Sequence, residues 1–176
     1  MEKLKVIELK VNQLDKKTFT PYGEILGPQK VKPYLENDDI DFYPGISNIE
    51  LTKQNGTFFW LDVKRSRQFI CENLERHLNC SEAFIPFSGS SIFVVALSEN
   101  MKDPKSPVDF NSLKAFFLDG SRAVNLKIGT WHWIPFPTSE KASFIGIFEN
   151  DTHKTNLEII DLKKNYNVSV KLILEK

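Results

Sequence analysis

Several things are scarce in this sequence of 176 residues, and each scarcity removes a class of protein. Only two cysteines occur, Cys71 and Cys80, with no CxxC pair, so neither a zinc ribbon nor a dithiol redox centre is encoded. At this length a disulfide is unneeded, and the expectation is two reduced, buried thiols. No charge of one sign is in excess: 23 basic residues balance 23 acidic ones. Polyanion binding depends on released counterions and therefore on surplus Lys and Arg, so nucleic acid is not an expected partner. Long apolar runs are missing too. The longest, Ile92 to Leu97, is six residues, against about 20 needed to span a bilayer. The start, Met1-Glu2-Lys3-Leu4-Lys5, mixes charge with apolar residues and has no signal-peptide core. A cytoplasmic protein with no membrane partner is expected.

Phenylalanine is abundant, with 14 copies beside 3 Trp and 4 Tyr. Aromatic and β-branched residues suit pleated, half-buried surfaces. Segments 46–51, 57–63, 69–78, 83–87, 91–97, 114–118, 130–136, 144–148 and 168–174 read as strands punctuated by turn residues. Asn55-Gly56 fits a type I′ hairpin turn between the first two, and Gly89 fits a turn between two more. A short helix is expected at 15–19, while 157–162 is undecided between helix and strand. Residues 98–109 read as a loop inside the domain. The pattern predicts one all-β domain over 1–176, a sandwich or barrel with few short helices.

The chemistry sits in four residues. On a strand over 69–78, Glu75 and His77 share a face, and Arg76 points the other way. Glu82 follows after a turn, and His132 comes much later, in Gly129-Thr130-Trp131-His132. Two imidazoles and two carboxylates converging in one cavity suit a divalent metal held by His77, Glu82 and His132, or metal-free acid–base work in which a carboxylate orients a histidine. No organic cofactor is expected. Trp131 and Trp133 share the face opposite His132 and read as packing. His153, in a polar loop over 150–156, is assigned no role.

His77, Glu82 and Gly89 match the spacing of the latter part of the first cupin motif, and Gly129 with His132 matches the heart of the second. Leu74-Glu75-Arg76-His77 followed by Ser81-Glu82-Ala83-Phe84-Ile85-Pro86 resembles the ureidoglycolate lyase family. So do Phe19-Thr20-Pro21-Tyr22-Gly23-Glu24, Leu113-Lys114-Ala115-Phe116, and Ala123-Val124-Asn125 leading to Trp131-His132, in order over about residues 5 to 150. The resemblance implies a cupin (double-stranded β-helix, jelly-roll) barrel, a homodimer, and cleavage of ureidoglycolate to glyoxylate and urea in allantoin and purine catabolism.

This chain departs from the family pattern at three places: Glu82 replaces Gln, Lys127 stands where a histidine follows the Val-Asn pair, and Trp133 replaces the second of two histidines. Glu82 restores the carboxylate that metal-binding cupins carry there. Lys127, Arg65 (in the basic cluster Lys64, Arg65, Arg67) and Arg76 are the candidates to hold a small anionic substrate, with a structural ion pair as the competing role for Arg76. Two other functional classes stay open: a metal-dependent cupin isomerase or dioxygenase on another small carboxylate or sugar, and a non-catalytic small-molecule-binding cupin.

Overall fold

The computed structural model describes residues 3–27, 30–53, 55–64, 68–101 and 103–175. Two sheets face each other. The larger runs in the order β15 (Glu158–Asp161), β7 (Asn73–Arg76), β12 (Trp131–His132), β9 (Ser91–Ser98), β10 (Val108–Leu118), β1 (Lys5–Gln13), β16 (Val168–Ile173), β6 (Ile70–Cys71), with β13 (Phe136–Pro137) beside β9. The smaller runs β2 (Gly23–Leu26), β11 (Ala123–Leu126), β8 (Glu82–Ser88), β14 (Lys141–Glu149), β5 (Gly56–Lys64). A ribbon of β3 (Leu35–Glu36) and β4 (Asp41–Phe42) stands apart. The helices are short: α1 (Lys16–Phe19), α2 (Thr152–Thr155) and α3 (Leu162–Tyr166). This is the expected all-β barrel with few short helices.

Strand β9 shows how the two cores arise. Its apolar run is buried on both faces, as expected for a central strand covered on each side. Ile92, Val94 and Ala96 join a core with Leu74, Ala115, Trp131, Val170 and Leu172. Phe93 and Val95 join a second core between the sheets, with Phe84, Phe116, Val124 and Phe144. The segment expected as one strand over 69–78 is two. Cys71 and Leu74 both enter the first core although three residues apart, so regular alternation breaks at exposed Glu72. Its carbonyl accepts from Leu162 N–H at 2.8 Å. Because β6 pairs β16 while β7 pairs β12 and β15, a single residue joins distant places in the strand order. The large sheet must therefore curl on itself.

Other differences have equally local causes. Segment 46–51 forms no strand, only a bridge from Leu51 to Cys80, so Asn55-Gly56 does not close a hairpin. Gly89, with φ of +75°, links strands of different sheets. A Cβ there would meet the Lys141 carbonyl at 2.2 Å, so only glycine fits. The undecided stretch 157–162 is strand β15 running into α3. Asp15 caps α1, its carboxylate accepting from the N–H groups of Lys17 and Thr18. Both cysteines are free and buried. Among the described residues no helix is long and apolar enough to cross a membrane.

A buried two-histidine, one-carboxylate site between the sheets

Strand alternation and pairing place the four chemistry-bearing residues. His132 on β12 lies directly opposite Glu75 on β7 and Val95 on β9. Directly opposed residues share a face, and Val95 belongs to the inter-sheet core, so His132 and Glu75 both turn inward. Glu82 opens β8 in the facing sheet, two residues before inward Phe84. His77 follows the last residue of β7. Sequence-distant side chains thus meet at one end of the inter-sheet space.

Glu82 Oε2 lies 2.8 Å from His132 Nε2 and 3.2 Å from His77 Nε2. Glu75 Oε1 is 3.6 Å from His132 Nε2. One donor atom each from His77, Glu82 and His132 falls within 4.8 Å of the others. All three residues are buried, whereas the Glu75 side chain keeps 17% exposure and marks the open side. Phe84 and Phe93 set ring centroids 6.0 Å from His132, and Phe148 lies 6.2 Å from His77, giving the site aromatic walls.

Backbone carbonyls fix both rings. His77 Nδ1 is 2.7 Å from the Asn156 carbonyl, and His132 Nδ1 is 3.0 Å from that of Thr130. A carbonyl only accepts, so each Nδ1 carries the hydrogen and each Nε2 is directed at Glu82. That is the arrangement by which proteins orient imidazole ligands on a metal. The fit extends to bonding: despite their proximity, Glu82 Oε2 and His132 Nε2 have no aligned hydrogen bond, although both are buried. Buried polar atoms of native proteins are nearly always partnered. Convergent N, N and O donors, two of them without a hydrogen bond, suit a divalent cation.

The site's electrostatics agree. Burial pushes the Glu82 carboxyl up, but the charge and close approach of His132, then of His77, outweigh it and hold it at about 2. Burial lowers His132, yet Glu82, Glu75 and the Thr130 carbonyl raise it above its ordinary value. Glu75 moves the other way from Glu82: burial, with Glu82 adding to it, lifts its carboxyl above the ordinary range against the pull of the imidazoles.

Two sequence candidates, Arg76 and Lys127, lie elsewhere. Arg76 points away from Glu75, into a structural role. Its Nε donates to Glu158 at 2.7 Å, its Nη1 to Ser98 Oγ at 2.8 Å and its Nη2 to the Pro104 carbonyl. Its guanidinium covers the Trp131 ring at 4.3 Å. Saturated in this way, it is not free to hold substrate. Lys127 is exposed, and its Nζ donates to the Thr20 carbonyl at 2.6 Å. It lines a cleft with Leu14, Lys16, Glu24 and Arg122 that includes none of the three clustered residues. Its amine is thus placed apart from the His77, Glu82 and His132 cluster. Arg65, like Arg67, lies outside the described residues. Sequence reading missed Asn156, whose carbonyl orients His77 and whose Oδ1 accepts from Leu78 N–H at 2.8 Å. No local pattern links it to a histidine so far along the chain. Thr130, two residues from His132 in the second motif, was within reach of the pattern.

The comparisons with known proteins follow the same residues. Residues 6–169 match the family Ureidoglycolate lyase. The ureidoglycolate lyase of Salmonella typhimurium (strain LT2) is 25% identical over 160 residues, 88% of this chain and 95% of that protein. That of Salmonella enteritidis PT4 is 24% identical over the same length. Among solved structures, the oxalate decarboxylase of Bacillus subtilis aligns with 63% of this chain at 15% identity and TM-score 0.43, and the chain spans about a quarter of that protein. The family match covers nearly the whole chain and all three strands, β7, β8 and β12, of the inter-sheet site, and on it the chain belongs to the ureidoglycolate lyase family.

Proposed function

We propose that this protein cleaves ureidoglycolate to glyoxylate and urea, with His77, Glu82 and His132 holding a divalent cation and Glu75 moving the proton. The observation that carries the reading is the convergence of two carbonyl-oriented imidazoles on one buried carboxylate, with a second carboxylate of raised pKa on the open side. Family membership supplies the substrate class.

Ureidoglycolate has one carbon bearing a carboxylate, a hydroxyl and a urea nitrogen. Its cleavage requires loss of the hydroxyl proton, formation of the aldehyde C=O as the C–N bond breaks, and protonation of the departing nitrogen. When bound, a divalent cation would polarise the substrate hydroxyl and offset its carboxylate charge. Glu75 is placed to do the rest. It is the most accessible of the four, and its raised pKa brings it nearer the pH at which a single group both accepts and returns a proton. The proton leaves the hydroxyl for Glu75 and passes to the urea nitrogen, so the step is balanced without an outside acid. Phe84, Phe93 and Phe148 keep bulk water from the reacting carbon.

The test is turnover of ureidoglycolate by protein supplied with divalent cations, following glyoxylate and urea together. Equal release of both, well above the spontaneous rate, is expected. Release at the spontaneous rate with every cation tried overturns the assignment.

A further inference from the structure

The cleft that holds Lys127 is positively charged in a chain whose net charge is zero. It contains none of His77, Glu82, His132 and Glu75, and its volume of about 520 Å³ is that of a small-molecule site. Four cations, Lys16, Lys30, Arg122 and Lys127, line it against two carboxylates, Asp15 and Glu24, leaving two positive charges in excess.

Both carboxylates are turned to their own chain. Asp15 accepts from the N–H groups of Lys17 and Thr18 and from the Thr18 hydroxyl, and Glu24 accepts from Ser47 Oγ. The cations are differently placed. Among the described residues the side chains of Lys16, Lys30 and Arg122 have no hydrogen bond or ion pair. Lys127 gives one of its three donors to the Thr20 carbonyl. Arg122 is half-buried, and its stem lies flat on Gly27, where a Cβ would come within 2.7 Å of Arg122 Cγ. That packing fixes the guanidinium before any ligand arrives, which lowers the ordering cost of binding. Asp119 feels the charge of Arg122, but accepts its own hydrogen bonds from Ser121.

The remaining wall is apolar, with Leu14, Ile25, Val31 and Ile46. Val31 and Ile46 also border an adjoining depression of about 390 Å³ beside Tyr34 and Tyr43. Tyr34 is 83% exposed, a ring open to stacking. A ligand that uses both parts has a doubly charged head and a flat body. A carboxylate alone would match half of the excess charge, and inorganic phosphate would leave the apolar wall wet. A phosphate monoester carries about −1.5 to −2 at neutral pH, and a nucleobase supplies the flat body.

We infer that this cleft binds a nucleoside monophosphate, its phosphate among the four cations and its base over Val31 and Ile46 toward the two tyrosines. The inference does not rest on the chemistry proposed above.

Isothermal titration of the chelator-treated full chain with AMP at low ionic strength tests it, chelation keeping phosphate from any cation at the buried site. One AMP per chain is expected. Ribose 5-phosphate and inorganic phosphate should bind about tenfold more weakly, the worth of stacking a base, and adenosine more weakly still. Arg122→Gln and Lys16→Gln should each weaken AMP about tenfold through loss of a charge-assisted contact, with unchanged circular dichroism. Exposed Lys16→Gln carries the test if Arg122→Gln misfolds. Lys164→Gln, on α3 outside the cleft, and Glu82→Ala, in the buried site, should keep wild-type affinity for AMP. No AMP binding overturns the inference, as does equal affinity for inorganic phosphate or adenosine. Full affinity in the folded cleft variants also overturns it. So does loss of binding in folded Glu82→Ala, which would put the nucleotide at the buried site.

Discussion

Glu75 and Glu82 are neighbours with opposite tasks. Glu82 is buried, strongly ionised and aimed at two imidazoles, whereas Glu75 is more open and harder to ionise. Glu75→Gln keeps the side chain's shape and removes its proton-accepting capacity. Steady-state kinetics should show kcat falling by roughly 10²–10⁴-fold, the usual worth of a positioned acid–base group, with cation binding retained. Lys127→Ala should leave kcat and KM within about threefold, a change of well under 1 kcal/mol, because its amine serves the Thr20 carbonyl. A large rise in KM would restore Lys127 as a substrate anchor.

The same pair gives a pH signature in chelator-treated protein. Glu82 is lowered from its ordinary 4.5 to about 2, so it stabilises the fold above about pH 4.5, and that contribution is lost as pH falls toward 2. His132 is raised from 6.5, so its contribution is complete below pH 6.5 and is lost as pH climbs through the higher folded value. Thermal melts should show a midpoint declining at both extremes. Adding the cation should abolish the alkaline decline, because the metal takes the place of the His132 proton. A midpoint flat with pH would contradict the buried ion pair.

Among the elements, Arg76 ties the most together. It connects β7 to β15 through Glu158, to the end of β9 through Ser98, to the following loop through Pro104, and to β12 by covering Trp131. Arg76→Met keeps much of the volume but removes all three donors, although Ser98 Oγ keeps its bond from Trp131 Nε1 at 3.1 Å. Denaturant unfolding should show a loss of roughly 1–3 kcal/mol, from the lost hydrogen bonds of a charged donor and the lost contact with the Trp131 ring. Glu158, 44% exposed, is rehydrated and adds little. Intact stability would show the guanidinium to be incidental.

Element by element, what could be read from the sequence follows the range of the forces involved. Strand β9 was legible because a short, wholly apolar run is what a strand covered on both faces requires. The α1 cap was legible because an Asp side chain answers its own local N–H groups. Strand β1 was not. Its alternating charges face solvent while Ile7, Leu9 and Val11 pack inward, a strand absent from those expected from the sequence. The interruption at Glu72 was invisible because it is imposed by β16, almost a hundred residues away. Segment 46–51 looked like a strand, yet only Leu51 at its end pairs, in a single bridge to Cys80 rather than along β5.

At the scale of the whole molecule, the site was legible in its members and not in its assembly. Alternation put Glu75 and His77 on one face, and motif spacing brought in Glu82 and His132. The fold then sorted roles that the residue list could not. It gave Arg76 to the architecture, turned Lys127 outward and recruited the Asn156 carbonyl, because sheet curvature and loop direction are set by packing across the entire barrel.

The central claim is that His77, Glu82 and His132 act as one cation site. Isothermal titration of chelator-treated wild-type and Glu82→Ala proteins with Mn²⁺ and Zn²⁺, alongside elemental analysis of the reloaded samples, tests it most directly. One equivalent per chain is predicted for the wild type, and none above background for folded Glu82→Ala. A wild type that takes up neither cation, or a Glu82→Ala protein that binds as tightly, would contradict the account.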